Sequence, residues 1–597
     1  MKLRLLSAAL ALSFMCTAAA QADPPKREFR SSWVAGMGID WPKSKDQATA
    51  KKQLITYLDK FKAQNMTGVC IHVRPRADAY YKSSYEPWSA DLTGTRGKDP
   101  GWDPLAFAIE ECHKRGLECY AWINPYRVNA DNVTYTTSFD KEWDNNGWLI
   151  RSRKWTSFNP GHPGARQHCF DVIKEIYTNY NIDGMLFDDY FYPGNGMQGV
   201  PAQGWETQSD SDADDYEMWE NAKSGMTLYN WRRNNVNTFV KELYDMIQET
   251  RPDLRFGIGP AGVVRKSASL YNLKQPAIKS GDWQYDKIYS DPLKWLADGS
   301  IDFISPQVYW STTNADAPFR PLAEWYGMVA KHFNRHNYIS IAAYKLHKDY
   351  AHEFGGNNEN GWLQIQTQLE CTRTYNQNEA SGIIYYNTQS VNGPALTGLG
   401  DWMGEHCFQR PALVPKVTWK DRVVYSAPES AEHSDGVIKW KATTGAPKAI
   451  IRYTVYAVPS TVNYSDALAS DGDGIDGKYL QSVVYGTSYT LPADAMTNHW
   501  YAVCVYDGYG YESEPALINY NGPGSGIIGV TDENSTELSF TVNGRSVMLD
   551  STAKEIRIYS ADGSLLGSAT DSDEITLPAA GLYIIWADGV AAKTAVK

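Results

Sequence analysis

The chain has 597 residues, 43 % of them hydrophobic, and a formal net charge of −12. That length exceeds a single core and asks for about three or four domains. The negative balance excludes a nucleic-acid partner, which needs a basic footprint, and gives no attraction to anionic membrane surfaces.

Lys2 and Arg4, an apolar run from Leu5 to Met15, and Ala20-Gln21-Ala22 read as an export signal over residues 1–22, cleaved before Asp23. The run is too short to stay in a bilayer, and no later stretch reads as a transmembrane helix. The mature protein is therefore expected in the periplasm, at the cell surface or secreted. From 23 to 411, strand and helix patterns alternate. Eight apolar strand segments are expected: Phe29–Ala35, Gly68–Pro75, Leu117–Tyr126, Gly184–Tyr190, Arg255–Gly262, Asp302–Trp310, Tyr338–Lys345 and Gly382–Thr388. Helices are expected between them, among them Gln47–Ala63, Pro104–Arg115, Ala165–Tyr180, Met226–Thr250, Leu322–Phe333 and Gly361–Tyr375. Eight such units predict an α/β fold, a (β/α)₈ TIM barrel. No Gly-rich phosphate turn follows the first strand, which sets aside an open doubly wound sheet. After Ala412 short strands replace helices. Residues 412–520 are expected to form a fibronectin type III-like β-sandwich, and 527–597 a small sorting-like β-sandwich, joined by the linker 521–526.

Seven cysteines follow the signal, with irregular spacing and no C-x-x-C pair, so no disulfide framework or zinc site is expected. Cys70 and Cys504 sit in apolar strands as buried thiols. Asp471, Asp473 and Asp476 are spaced for calcium but lack the rest of a binding loop, so a solvated turn is the better reading. The acidic run 210–217 reads as an exposed insertion. No cofactor or metal is called for.

Polar and aromatic residues crowd the carboxyl ends of five strands, the end where a TIM barrel keeps its chemistry. Asp188-Asp189 directly follows the apolar Met185-Leu186-Phe187. Carboxylates where burial begins are costly unless paired or used. Asp183-Gly184-x-x-x-Asp188 resembles the fourth-strand spacing of chitinase-like glycosidases and makes Asp188 the inward member. Tyr190 stands where those enzymes have an acid, so their substrate-assisted mechanism is not carried over. Glycoside hydrolysis ordinarily uses two carboxyl groups. Asp78 is the first choice for the second, with Glu86, Asp189 and Asp291 as the others. Arg74, Arg76 and Arg127 suit bidentate recognition of a carboxylate. They either bind a carboxylated sugar or hold Asp188 or Asp189 ionised. Asn124, Gln307, Tyr309 and Asn387 are candidates to read sugar hydroxyls, Trp122 and Trp310 to stack on rings, and Tyr190 to line the site.

Six ordered motifs resemble the glycosyl hydrolase-like 10 family of exported bacterial proteins. They are residues 27–34, 73–80 with 85–89, 121–127, 159–161, 187–193 (Phe-Asp-Asp-Tyr-Phe-Tyr-Pro) and 305–310 (Ser-Pro-Gln-Val-Tyr-Trp). The resemblance spans about residues 27–400. It implies a TIM-barrel glycosidase acting on the glycan strands of peptidoglycan, whose N-acetylmuramic acid would supply carboxylates for the arginines. Ala77 departs from an expected glycine, and Gly259-Pro260-Ala261-Gly262 is an altered end of the fifth strand. The rival expectations are a hydrolase of another complex polysaccharide and a non-catalytic glycan-binding protein of the cell surface.

Overall fold

The structure, a computed structural model, describes residues 24–597 apart from 130–135, 152–155, 194–213, 265–270, 272, 274, 280–282, 377–380, 395, 446–449, 521–539, 544, 561–564, 578–580, 589 and 597. The expected signal and the linker 521–526 lie outside the described residues.

Eight parallel strands close into a barrel. They are β1 (Phe29–Val34), β2 (Gly68–Arg74), β3 (Glu118–Ile123), β4 (Gly184–Phe187), β5 (Arg255–Ile258), β6 (Phe303–Ile304), β7 (His336–Ile341) and β8 (Ser381–Tyr385), each paired with its sequence neighbours and β8 with β1. Five of the helices start where the sequence provides a side-chain cap. Asp46 accepts from the Thr49 amide at α1 (Gln47–Ala63), and Asp103 from the Ala106 amide at α2 (Pro104–Lys114). His162 caps α3 (Pro163–Asn179) and Thr227 caps α4 (Leu228–Thr250). Asp291 caps α5 (Pro292–Ala297), which gives that carboxylate a structural task far from a strand end. The remaining helices are α6 (Phe319–Phe333), α7 (Glu359–Asn376) and α8 (Leu399–His406). β6 is shorter than its apolar run because Pro306 has no N–H to give the ladder.

Side chains alternate across each strand, and two size classes fill the interior. Phe29, Tyr120, Phe303 and Tyr338 form a layer of rings, with Phe29–Tyr338 centroids 4.5 Å apart and Phe303–Tyr338 4.9 Å apart. Glycines face them. A Cβ at Gly184 would lie 2.2 Å from the Tyr120 ring, and one at Gly257 2.3 Å from the Phe303 ring. Above this layer Trp33 Nε1 donates to Ser340 Oγ at 3.0 Å, and Ser305 and Ser340 hydroxyls pair at 2.9 Å. Trp33 meets Trp122 edge-on at 4.6 Å, and His72 stacks on Trp122 at 3.7 Å. These rings are the floor of the barrel mouth.

Residues 412–519 form two antiparallel sheets. One contains β9 (Glu432–Ser434), β10 (Val437–Lys439) and β13 (Ser488–Thr490). The other contains β11 (Arg452–Pro459), β12 (Leu480–Val484), β14 (His499–Tyr506) and β15 (Ala516–Ile518). Their core is Ile438, Trp440, Val455, Tyr501, Val503 and Val505. This domain and the barrel make one compact unit. Buried ion pairs stitch the amino ends of the barrel strands to it. Glu118 meets Arg452, Asp302 accepts from Lys420 Nζ at 2.8 Å and Trp419 Nε1 at 3.0 Å, and Asp183 accepts from the Tyr485 hydroxyl at 2.8 Å. Asp473 is ion-paired with Arg27 Nε at 2.5 Å, so the expected solvated turn is instead a clamp on the chain entering β1. Burial raises the Asp473 carboxyl, but Arg27 and Lys26 outweigh it and bring it down to about 2.

The second unit takes in 461–466 and 520–597 and holds one five-stranded antiparallel sheet, with Val547, Ile556, Ile558, Leu577 and Ile585 in its core. All seven described cysteines are free and buried. Residues 210–213 of the acidic run lie outside the described residues; Asp214 and Glu217 are exposed, as expected of an insertion, but Asp215 is not. It is fully buried against Arg232, because an unpaired guanidinium inside the protein would be costly. No helix among the described residues is long and apolar enough to cross a membrane.

Candidate active site

Strand parity decides which carboxylate enters the mouth. Gly184, Leu186 and Asp188 share one face of β4, and Gly184 faces the interior ring of Tyr120. Met185 and Phe187 belong to the core beneath the helices, where Phe187 packs on Phe239 and Phe256. Asp188 therefore points inward at the carboxyl end of β4. Gln307 lies on the inner face of the β6 segment by the same count, beyond Phe303 and Ser305. Its Nε2 donates to Asp188 Oδ1 at 3.0 Å and to the Gly259 carbonyl at 2.8 Å. The Asp189 amide donates to the same Asp188 oxygen at 2.9 Å.

Burial raises both carboxyls. Asp188 is eased back by the Asp189 amide, Gln307 and Arg127. Asp189 is driven well above the usual range, first by burial and then by the negative charge of Asp188. Of the two, Asp189 is the one pushed further toward its protonated form. Arg127 lies over the Tyr190 ring at 4.6 Å and bears on both acids.

Three tyrosines line the wall beyond Asp188. Tyr309, Tyr344 and Tyr386 sit with ring centroids 5.8 to 6.0 Å apart. Tyr309 and Tyr386 are held protonated by burial and by the charge of Asp188. His72 in the floor is also neutral, because burial and the charges of Arg127 and Arg76 push its proton off. Both its nitrogens lack a protein partner, as does the indole N–H of Trp122.

The candidates from sequence divide into two groups. Asp188, Asp189, Tyr190, Arg127, Gln307, Tyr309 and Trp122 come together at the mouth. Trp310 is half-buried in the rim and packs over Gly262, where a Cβ would lie 2.7 Å from the ring. The others are engaged elsewhere. Arg74 is fully buried, with its guanidinium on Glu86 and on the Asn124 and Pro125 carbonyls, which leaves it no face toward a ligand carboxylate. Arg76 pairs with Asp91 at 3.1 Å. Asp78 is buried, accepts from the Arg76 amide at 2.9 Å and faces Arg96 at 3.5 Å. It braces the loop after β2. Asn124 is buried and donates to the Pro75 carbonyl at 3.1 Å. Asn387 accepts from the Ser390 hydroxyl at 2.6 Å inside the turn after β8. Sequence reasoning missed His72, Tyr344 and Tyr386. Tyr386 is one residue from the chosen Asn387, and the inward parity of β8 would have selected it.

Among the described residues no cluster of His, Cys, Asp and Glu is set to hold a metal ion. Comparison with known proteins agrees with the barrel's reading. The model of the family described as "Glycosyl hydrolase-like 10" matches residues 28–354. "Glycosyl hydrolase YngK" of Bacillus subtilis (strain 168) is 34 % identical over 410 residues, covering 68 % of this chain and 76 % of that protein. "Glycosyl hydrolase DigH" of Escherichia coli (strain K12) is 29 % identical over 412 residues, covering 64 % and 89 %. The solved glycoside hydrolase domain of PgaB (BpsB) from Bordetella bronchiseptica aligns with a TM-score of 0.40 at 13 % identity, covering 66 % of this chain and all of that one. The chain belongs to the glycosyl hydrolase-like 10 family and is a glycoside hydrolase.

Proposed function

We propose that the protein is an exported hydrolase of peptidoglycan glycan strands, with Asp188 and Asp189 as its catalytic carboxyls. The observation that carries the substrate reading is Arg127. It sits on Tyr190 beside the two acids, where the lactyl carboxylate of N-acetylmuramic acid would meet it. Strands freed of peptide fit a mouth ringed by Tyr190, Tyr309, Tyr344 and Tyr386, whose faces suit the C–H side of a sugar. Gln307 fixes Asp188, and the neutral imidazole of His72 adds a donor and an acceptor to the floor. Asp78 is assigned to loop support. The leader 1–22 directs export, and the three- and four-stranded sheets behind the barrel support the fibronectin type III-like reading of 412–520.

The test is to incubate wild type and Asp188→Asn with whole peptidoglycan and with peptide-free strands, and to follow products by mass spectrometry. Soluble disaccharide-based fragments from wild type alone are expected, more abundant from the stripped strands. Release from neither material, with turnover of another polysaccharide, would replace the substrate and keep the site.

A further inference from the structure

We propose that the barrel rim beyond Asp188 carries a second, remote subsite, in which Arg233 and the ring of Tyr229 hold a carboxylated sugar several rings away from the bond that is cut. The inference rests on the glycan-strand reading above and adds where a long strand is gripped.

Topology puts these residues at the right end of the barrel. β4 and β5 are parallel, so α4 between them runs back and begins at the carboxyl-end rim. Tyr229 is in its first turn, and Arg233 follows one turn later on the same face. Tyr285 and Tyr289 stand between β5 and the start of α5, on the same rim. The patch joins the site through Tyr192, which follows Asp188 within about 14 Å of chain. The Tyr192 ring meets Tyr289 edge-on at 5.2 Å, and Tyr289 lies parallel to Tyr229 with centroids 6.0 Å apart.

Two consecutive arginines separate structure from recognition. Arg232 is fully buried, holds Asp215 with two nitrogens and donates to the Tyr289 hydroxyl at 3.1 Å. Its charge is compensated and its role is internal. Arg233 is half-buried at the edge of the same rings, over Tyr285 at 4.1 Å and Tyr289 at 6.0 Å. One of its N–H groups goes to the Tyr285 carbonyl at 3.0 Å and another to Asn230 Oδ1 at 2.7 Å. Both acceptors are neutral, so they fix the guanidinium plane without cancelling its charge. Among the described residues Arg233 forms no ion pair, in a chain whose net charge is −12. A guanidinium offers five N–H groups, and those left over form a fixed planar donor that matches a carboxylate. Beside it Tyr229 is still 39 % exposed and presents a flat apolar face. A sugar bearing a carboxylate satisfies both, its C–H side on the ring and its anion on Arg233. Only a strand long enough to reach from Asp188 to this place gains from it, so the subsite favours long strands over short ones.

The test gives peptide-free glycan strands, sorted by length, to wild type, Arg233→Ala and Tyr229→Ala. In wild type kcat/KM should rise with length. The advantage of long strands over tetrasaccharides should fall at least about fivefold in each variant, through KM, with the melting temperature held. Reducing the lactyl carboxylates to alcohols should cost wild type the same advantage and cost Arg233→Ala nothing further. That comparison is made on wild type, so a loss of fold in a variant cannot hide the answer. Equal length dependence in all three proteins, or no effect of reducing the carboxylates, would overturn the subsite and keep the glycan-strand reading. If wild type cuts no strand, that reading falls, and calorimetry with oligogalacturonate, a carboxylated glycan, decides the subsite by itself. Binding weakened at least about fivefold in Arg233→Ala would uphold it. Binding equal in both proteins, or absent from both, would overturn it.

Discussion

At the scale of single residues, the proposed chemistry turns on Asp188 and its neighbour Asp189. Asp188→Asn should lower kcat on glycan strands by about 10²–10⁴-fold with little change in melting temperature, read by product release and calorimetry. In the proposed reading Asp189, whose carboxyl is driven higher, is the proton donor, so kcat should fall as pH rises through its ionisation. Asp189→Asn should remove that alkaline limb along with most of the activity. Asp40 offers a second test of sign. Burial outweighs its backbone donors and the charge of Lys43 and lifts it from 3.8 to about 6. Between those values the unfolded chain has already lost the proton that the folded chain keeps, so raising the pH costs stability until about pH 6. The stability of wild type relative to Asp40→Asn should drop by about 2–3 kcal/mol between pH 4 and 7, measured by denaturant melts at each pH. Ala77 has φ +44°, a left-handed backbone that favours glycine, and this explains why a glycine is expected there. Ala77→Gly should raise the melting temperature, a gain of about 1 kcal/mol. Much of the site was legible at this scale. Apolar residues followed by two acids gave Asp188, and spacing gave its inward direction. Arg74, Asn124 and Asn387 went astray because sequence shows a side chain's chemistry and not its partner. Glu86 lies twelve residues from Arg74 and takes two of its guanidinium nitrogens.

At the scale of elements, the barrel depends on an exchange of volume between neighbouring strands. Tyr120 occupies the space that Gly184 vacates, and Phe303 that of Gly257. Gly184→Ala should therefore destabilise by about 1–3 kcal/mol and weaken activity through the strand that carries Asp188. Adding Tyr120→Leu should recover part of the loss, and the double-mutant cycle should show coupling between the two sites. The helices were the most legible part, since α1 has the bounds its spacing predicts and α1 to α5 are each capped by a single polar residue. Strand ends were less so. The expected strands run past β4 and β6, where the half-buried Asp188-Asp189-Tyr190 and the proline at 306 end the ladder.

At the scale of the molecule, the domain behind the barrel is bound into its base. A chain ending at 411 leaves Glu118, Asp183 and Asp302 buried or newly bared without Arg452, Tyr485 and Lys420. It should be insoluble or melt far below wild type, whereas a chain ending at 520 should keep the full melting temperature and activity, as calorimetry and product release would record. The seam was not legible in sequence. Its acids look like ordinary charges at strand starts, and Arg452 stands 334 residues from Glu118. The clamp of Lys26 and Arg27 on Asp473 and Glu512 joins the start of β1 to a turn 446 and more residues downstream. That distance sets a timetable for biosynthesis. The first strand cannot be locked until about five hundred residues have emerged from the ribosome or crossed a membrane, so the earliest part of the barrel to be made is among the last to be secured, and a chaperone or an export channel meets it still open.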